Sequence, residues 1–287
     1  MTVEPINSQI WSEVPEPDDP FSAQVCRVWG YDLFGDLLRN ASWSEYLYLL
    51  FAGEKPDATK ARLLEAVALV LADPGMRDPS VRAAMNGGVG GSRNAANLMA
   101  ALAVGAGQLG GAREIYLAVK LWKSCGADLS RWQPVLGRKV SPKTPDRDGF
   151  EPMEYPPGFS PYACKCPRPV RQALDYLSEI DPHQSLAWLR ENRSNLESMG
   201  GYPLALSGVV AAAFDDLRLN PDQAEALYLI LRLPGAAVHA LEQKKYGWRR
   251  YPFFAQNLIY QQSTADSGSA ARMEVGKDAY AKSLGSI

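Results

Sequence analysis

Histidine is almost missing from this 287-residue chain, which has only His183 and His239. Cysteine is nearly as scarce, with Cys26, Cys125, Cys164 and Cys166 spread over the sequence. Four scattered cysteines do not make a disulfide framework. Cys164-Lys165-Cys166 could supply half of a tetrahedral zinc site, but neither histidine has a partner at ligand spacing, so the remaining ligands are wanting. No metal is expected. An excess of one charge is also lacking: 30 basic residues face 32 acidic ones, for a net charge of −2 and a pI near 5.8. Such a balance supplies no basic field for nucleic acid or an anionic membrane. No apolar run approaches the length needed to cross a bilayer. The opening "MTVEPINSQIWSEVPEPDDPF" lacks the basic start and apolar core of a secretion signal. The expectation is a cytoplasmic protein without nucleic-acid or membrane partners.

Helical patterning fills most of the chain, and alternating β-branched runs are nearly absent. In "ASWSEYLYLLFAG" (41–53), Ser42 and Glu45 fit a capping box and Gly53 fits a helix stop. In "DATKARLLEAVALVLADPG" (57–75), Leu63, Leu64, Val67 and Leu71 form one stripe, closed by Asp-Pro-Gly. Further helices are expected over 92–107, 112–125, 168–180, 183–198, 203–219, 222–233 and 236–246. The expected fold class is all-α. Residues 1–25 are rich in proline and acid and read as an extended arm. Residues 127–166 form a polar, proline-rich interruption, of the length that is usually functional or disordered inside a compact domain. Residues 263–287 are weakly patterned and read as a tail.

Several short stretches invite chemistry. "GAGQLG" (105–110) matches G-x-G-x-x-G, but it follows an Ala/Leu helix rather than a strand, so it is not a dinucleotide fingerprint. "NGGVGGSRN" (86–94) leads into a helix with Ser92 as a cap, which suits an anion site or a plain linker. Arg232, at the end of an apolar stripe, suits a helix-dipole contact or a ligand carboxylate. His239 lies among small apolar residues and reads first as a core histidine. Arg249 and Arg250 sit beside aromatics in "KKYGWRRYPFF" (244–254), a surface patch or an anion clamp. "YPPGFSPYACKCPRP" (155–169) has too many prolines for helix or sheet interior, leaving metal clip, disulfide corner, ligand loop or linker.

Together these pieces resemble the citrate synthase family, including its citryl-CoA lyase and ATP-citrate lyase branch. "RVWGYDLFGDLLRNASWSEYLYLLFAGEKP" (27–56) looks like the family's Arg-Gly-Tyr-Asp opening and its Ser-x-x-Glu-x-x-Tyr-Leu-Leu helix ending in Gly-Glu-x-Pro. "GQLGGAREI" (107–115) looks like Gly-x-x-His-Gly-Gly-Ala-x-Glu. "PPGFSPYACKCPRP" resembles Pro-Gly-Phe-Gly-His followed by Asp-Pro-Arg, and "RLPGAAVHALEQ" (232–243) resembles Arg-x-x-Gly-x-x-Ala-His-x-x-Glu-Gln.

The resemblance implies an all-α fold of two domains with a cleft between them: residues 1–112 and 237–287 as the large one, 113–236 as the small one. It implies a homodimer that binds a coenzyme A thioester and a di- or tricarboxylate, with acyltransferase or lyase chemistry at a C–C bond. Pro157, Gly158 and Phe159 then form the coenzyme A loop. Arg168 and Arg232 hold carboxylates, with Arg249 or Arg250 reaching in from the neighbouring subunit. The family's acid–base groups are replaced. No histidine precedes Gly110-Gly111, Pro161 stands at the loop histidine, Asn86-Gly87-Gly88 stands where the lyase branch has Asp-His-Gly, and no carboxylate lies near Ala205. Ser160, Tyr162 and Ser207 are the candidate replacement donors. The alternatives are a catalytically inactive homologue serving as ligand binder, regulator or structural partner, and thioester hydrolysis by Cys164 in an electropositive setting.

Overall fold

The computed structural model describes residues 8–137 and 153–250. Its opening is an antiparallel sheet in the order β1 (Trp11–Pro15), β2 (Ala23–Val28), β3 (Tyr31–Asp32). Trp11 pairs with Val28 and Val14 with Val25, and the register shifts at Pro15. The expected extended arm is therefore a paired ribbon in this part. Every residue of β1 is exposed, so no buried face imposed an alternating pattern on its sequence.

A π-helical turn at Leu33–Leu37 leads into α1 (Leu38–Asn40), and all the elements after it are helical. They are α2 (Trp43–Ala52), α3 (Ala58–Leu71), α4 (Pro79–Val89), α5 (Asn94–Gly105), α6 (Ala112–Cys125), α7 (Leu129–Leu136), α8 (Arg168–Ile180), α9 (Ser185–Gly200), α10 (Leu206–Asp216), α11 (Pro221–Leu231), α12 (Leu233–Tyr246) and a closing 3-10 turn at Trp248–Arg250. The all-α expectation holds. The capping box of α2 forms in full: the Glu45 amide donates to Ser42 Oγ at 3.3 Å, the Ser42 amide donates to Glu45 Oε2 at 2.6 Å, and Gly53 takes the left-handed conformation. Inside the polar interruption, residues 129–136 are a helix, while 138–152 lie outside the described residues, as does the tail.

The main core lies among α3, α6, α8, α9, α10 and α11. Leu63, Leu64, Val67 and Leu71, the stripe expected from sequence, are all buried there, with Ile115, Val119, Leu177 and Phe214. Each such side chain contributes roughly 1.5–3 kcal/mol by leaving water. Trp122 packs edge-on against Trp132 and Trp188, which stack on each other; the centroids lie 5.1, 5.7 and 6.4 Å apart, and the cluster fastens α7 onto α6 and α9. A second, smaller core joins α4, α5 and α12 through Ala84, Ala101, Ala236 and Ala240. Here Gly88 of α4 lies against the backbone of Ala240, so close that a Cβ on Gly88 would strike it. The glycine run 86–94 thus lies partly within a helix, because two helices need that contact.

The stretch Pro221–Tyr246, α11 and α12 end to end, is long and apolar enough to span a bilayer by length and composition. The expectation that no run has that length is corrected here. Its Ala224, Leu227, Leu231, Ala236 and Ala240 are buried against neighbouring helices, which accounts for the apolarity.

Candidate functional site

The Pro157-Gly158-Phe159 loop is fixed from three sides. Phe159 forms an isolated antiparallel bridge with Leu204, supported by the Ser160 amide on the Pro203 carbonyl at 2.8 Å and the Ala205 amide on the Gly158 carbonyl at 3.0 Å. Gly158 has φ +90°, and a Cβ there would lie 2.9 Å from Gly208 Cα, so glycine is required on both counts. Beneath the loop sits Glu114, in the first turn of α6 and 2% exposed. Its Oε1 accepts from the Gly158 amide at 3.1 Å and from Ser207 Oγ at 2.5 Å, and its Oε2 accepts from the Gly110 amide at 2.8 Å. Burial pushes the Glu114 carboxyl pKa up, and the three hydrogen bonds oppose that rise.

Of the candidate donors, Ser207 is the one joined to a titratable group. Ser160 Oγ instead accepts from the Tyr162 and Ala163 amides, both at 3.3 Å, in a local turn. Tyr162 is 86% exposed.

Immediately after the loop the chain lines a cavity of about 570 Å³, shared by Cys164, Lys165, Cys166, Arg171, Arg193 and Tyr202. A neighbouring cavity of about 520 Å³ is lined by Arg168, Arg171, Arg190 and Arg193, with Asp175 as its acidic member. Arg171 and Arg193 border both cavities, so the lining of the groove between α8 and α9 is rich in cations, with Glu197 as the acidic member of the first cavity and Asp175 of the second. Arg193 is partly neutralised by Glu197 at 2.6 Å. The Cys164 thiol is exposed and that of Cys166 buried, and burial, followed by the charge of Glu197, pushes the Cys166 pKa up. A protonated buried thiol is a poor nucleophile. Among the described residues, no group of three or more His, Cys, Asp or Glu is placed to hold a metal.

Arg232 occupies a different setting. It is 6% exposed, its Nη1 donates to Tyr228 Oη at 2.9 Å, its Nη2 is paired with Asp78 Oδ2, and its guanidinium lies 4.8 Å from the Tyr228 ring centroid. Its Nε is buried without a partner among the described residues. Asp78 also caps α4 through the Ser80 amide and hydroxyl, at 2.9 and 2.5 Å. Burial pushes the Tyr228 pKa up to about 12; the Arg232 charge opposes this, and Asp78 and Glu114 add to it. Tyr228 therefore stands within electrostatic reach of both the loop carboxylate and the arginine. Arg249 is exposed and lies over Trp248 at 5.5 Å, while the Arg250 side chain lies outside what is described. His239 contacts Asp73 at 3.2 Å and Glu242 at 3.7 Å, a polar pairing rather than an apolar core position.

The structure therefore groups Pro157, Gly158, Phe159 and Ser207 around Glu114, and sets Arg168 in the basic groove. Arg171, Arg190, Arg193 and Asp78 were not singled out by sequence, and Glu114 stood there only as the last residue but one of the matched motif 107–115, with no role given to it. The spacing of three between 168 and 171, and between 190 and 193, puts each arginine pair on one helix face and was the available signal.

No protein-family model matches the sequence, and no curated protein matches it. Solved structures do match. Citryl-CoA lyase from Hydrogenobacter thermophilus superposes with a TM-score of 0.66 at 20% identity, over 93% of this chain and 96% of that one. ATP citrate lyase from Methanothrix soehngenii, in complex with citrate and coenzyme A, matches with a TM-score of 0.68 at 17% identity, over 93% of this chain and 43% of that one. Citrate synthase from Thermoplasma acidophilum, in a ternary complex with carboxymethyl coenzyme A and oxaloacetate, matches with a TM-score of 0.52 at 18% identity, over 83% of this chain and 60% of that one. The chain has the citrate synthase-like helical fold.

Proposed function

We propose that this protein binds a coenzyme A thioester together with a di- or tricarboxylate. The carrying observation is the cavity of about 570 Å³ that opens directly beyond Pro157-Gly158-Phe159 and is lined by Lys165, Arg171 and Arg193. Its size falls within the range of small-molecule sites, and three cations suit the phosphates of a nucleotide end. Arg168, at the N-terminus of α8, lines the adjoining cavity and is the carboxylate contact nearest to that groove. Arg232 serves a carboxylate only by exchanging Asp78 for it. Arg249 and Arg250 belong to the same reading as contacts from a second copy.

A second reading, a binding protein without turnover, is favoured by one observation. The polar groups at the loop are hydroxyls, and the carboxylate among them, Glu114, is enclosed beneath the loop rather than presented above it. Ser160, Tyr162 and Ser207 are the residues that would carry a C–C bond reaction if there is one.

The reading extends to assembly: a homodimer, with residues 1–112 and 237–287 as one domain and 113–236 as the other, in the cytoplasm. Apolar side chains left exposed on the helices of the small core support the dimer alone, among them Met99, Val238 and Leu241, each at least half exposed.

Titration calorimetry with coenzyme A, acetyl-CoA, citrate and oxaloacetate, singly and in pairs, tests the proposal. Coenzyme A is expected to bind, and Arg171→Glu with Arg193→Glu to weaken it at least tenfold. Equal affinity in that variant would refute the assigned cavity. Assays for citryl-CoA cleavage and for condensation of acetyl-CoA with oxaloacetate separate the two readings.

A further inference from the structure

Glu114 is a buried carboxylate whose three recorded hydrogen bonds come from neutral donors in three separate segments. Gly110 precedes α6, Gly158 lies 44 residues after Glu114, and Ser207 lies 93 residues after Glu114. The main-chain bridge between Phe159 and Leu204 holds the outer part of the loop. The Gly158 amide points inward instead, and Glu114 is the group that receives it. An ionised carboxylate has acceptor sites for all three donors and offers none of its own, so nothing in this arrangement puts a donor against a donor.

We propose that Glu114 is the positioning residue of the coenzyme A loop: its carboxylate ties the Pro157–Phe159 turn to the first turns of α6 and α10 and so sets the backbone that the ligand meets. This rests on the reading of that loop as a coenzyme A contact. Ser207 acts in it as the link to α10. Glutamine at 114 has nearly the same shape but replaces one oxygen by an NH2 group, so at least one of the three donors then faces a donor. That amide or hydroxyl must turn away, and the loop loses its anchor.

The test compares the unaltered protein with Glu114→Gln and Ser207→Ala, reading free coenzyme A affinity by calorimetry and amide exchange in the ligand-free state. Glu114→Gln is expected to raise the Kd for coenzyme A about tenfold and to speed exchange of the Gly158 amide at least as much, with exchange in α9 unchanged. A merely stabilising residue would lower Tm without this local signature. Ser207→Ala removes one donor and leaves the carboxylate, so a rise in Kd of roughly threefold is expected; it carries the test if Glu114→Gln does not fold. Wild-type affinity and wild-type Gly158 exchange in the variants overturn the assignment. If the wild-type protein itself does not bind coenzyme A, the ligand reading fails, while faster Gly158 exchange in Glu114→Gln still supports the anchor.

Discussion

Glu114 and Arg232 are both buried charges, and they are satisfied in opposite ways. Glu114 receives neutral donors from three segments, each of its recorded partners bringing a hydrogen bond and no opposing charge. Arg232 is matched charge to charge with Asp78, is shared with the Tyr228 hydroxyl, and still leaves one N–H without a partner among the described residues. The first arrangement fixes backbone. The second neutralises a side chain that an outside carboxylate could also neutralise. A residue type that looks like a binder in sequence can therefore be structural at rest, and one that looks structural can shape the site.

Asp78→Asn breaks the comparison most severely. Asparagine keeps the cap on α4, but Arg232 becomes a buried charge without its partner, at a cost of about 3–5 kcal/mol. Chemical denaturation measures that loss. Citrate is expected to restore part of it, and a variant no more responsive to citrate than the parent would remove Arg232 from the carboxylate site.

Arg232→Ala is expected to cost less, about 2 kcal/mol, because the Asp78 left behind is more exposed and keeps Ser80 as a donor. It should abolish any citrate-induced rise in Tm while coenzyme A still binds. Persistence of the citrate shift would show that the carboxylate sits elsewhere.

Asp216 sharpens the contrast from the other side, as a second buried carboxylate held by N–H groups, those of Ser185 and Leu186 at 2.7 and 3.1 Å. These cap α9, whose own Gln184 makes no side-chain cap. Burial pushes the Asp216 pKa up from 3.8 to about 6. The folded state therefore binds a proton more tightly than the unfolded one between those values, so stability falls as pH rises through that window and levels off above it. The displacement corresponds to at most about 3 kcal/mol. Asp216→Asn should flatten that slope in urea denaturation series at pH 4 to 7, and an unaltered slope would assign the dependence to another group.

The smallest effect on stability is expected at Tyr162, whose exposed ring should tolerate Phe within roughly 0.5 kcal/mol. If the protein turns over citryl-CoA, Tyr162→Phe should slow it sharply at unchanged Tm. A full-rate variant would take Tyr162 out of the chemistry.

Much of the helical layout was legible because its signals are local. Ser42, Glu45 and Gly53 announce α2 within a dozen residues, and the leucine stripe of α3 lies where its spacing puts it. The sheet was not legible, since β1 is exposed along its whole length and carries a proline at its end. The helix α4 was hidden by Gly87 and Gly88, which look like a turn until Asn97 and Ala240 are seen pressed against them. α7 was hidden by Pro134 and its polar surroundings. The loop Pro157–Phe159 was readable from its own residues. Its anchor was not, because Glu114 becomes a hub only when residues 44 and 93 positions away fold onto it. The partner of Arg232 was equally remote, 154 positions back along the chain.

The cluster of three tryptophans, two edge-on pairs and one stacked pair, has a consequence in optics. With Trp122, Trp132 and Trp188 centroids 5.1 to 6.4 Å apart, their excited states couple, and the folded protein should show a circular dichroism couplet in the strong far-ultraviolet indole band that separated indoles lack. Because the rings belong to three different helices, any rearrangement of α7 or α9 against α6 would alter that couplet. The protein thus carries a built-in spectroscopic gauge, one that needs no label.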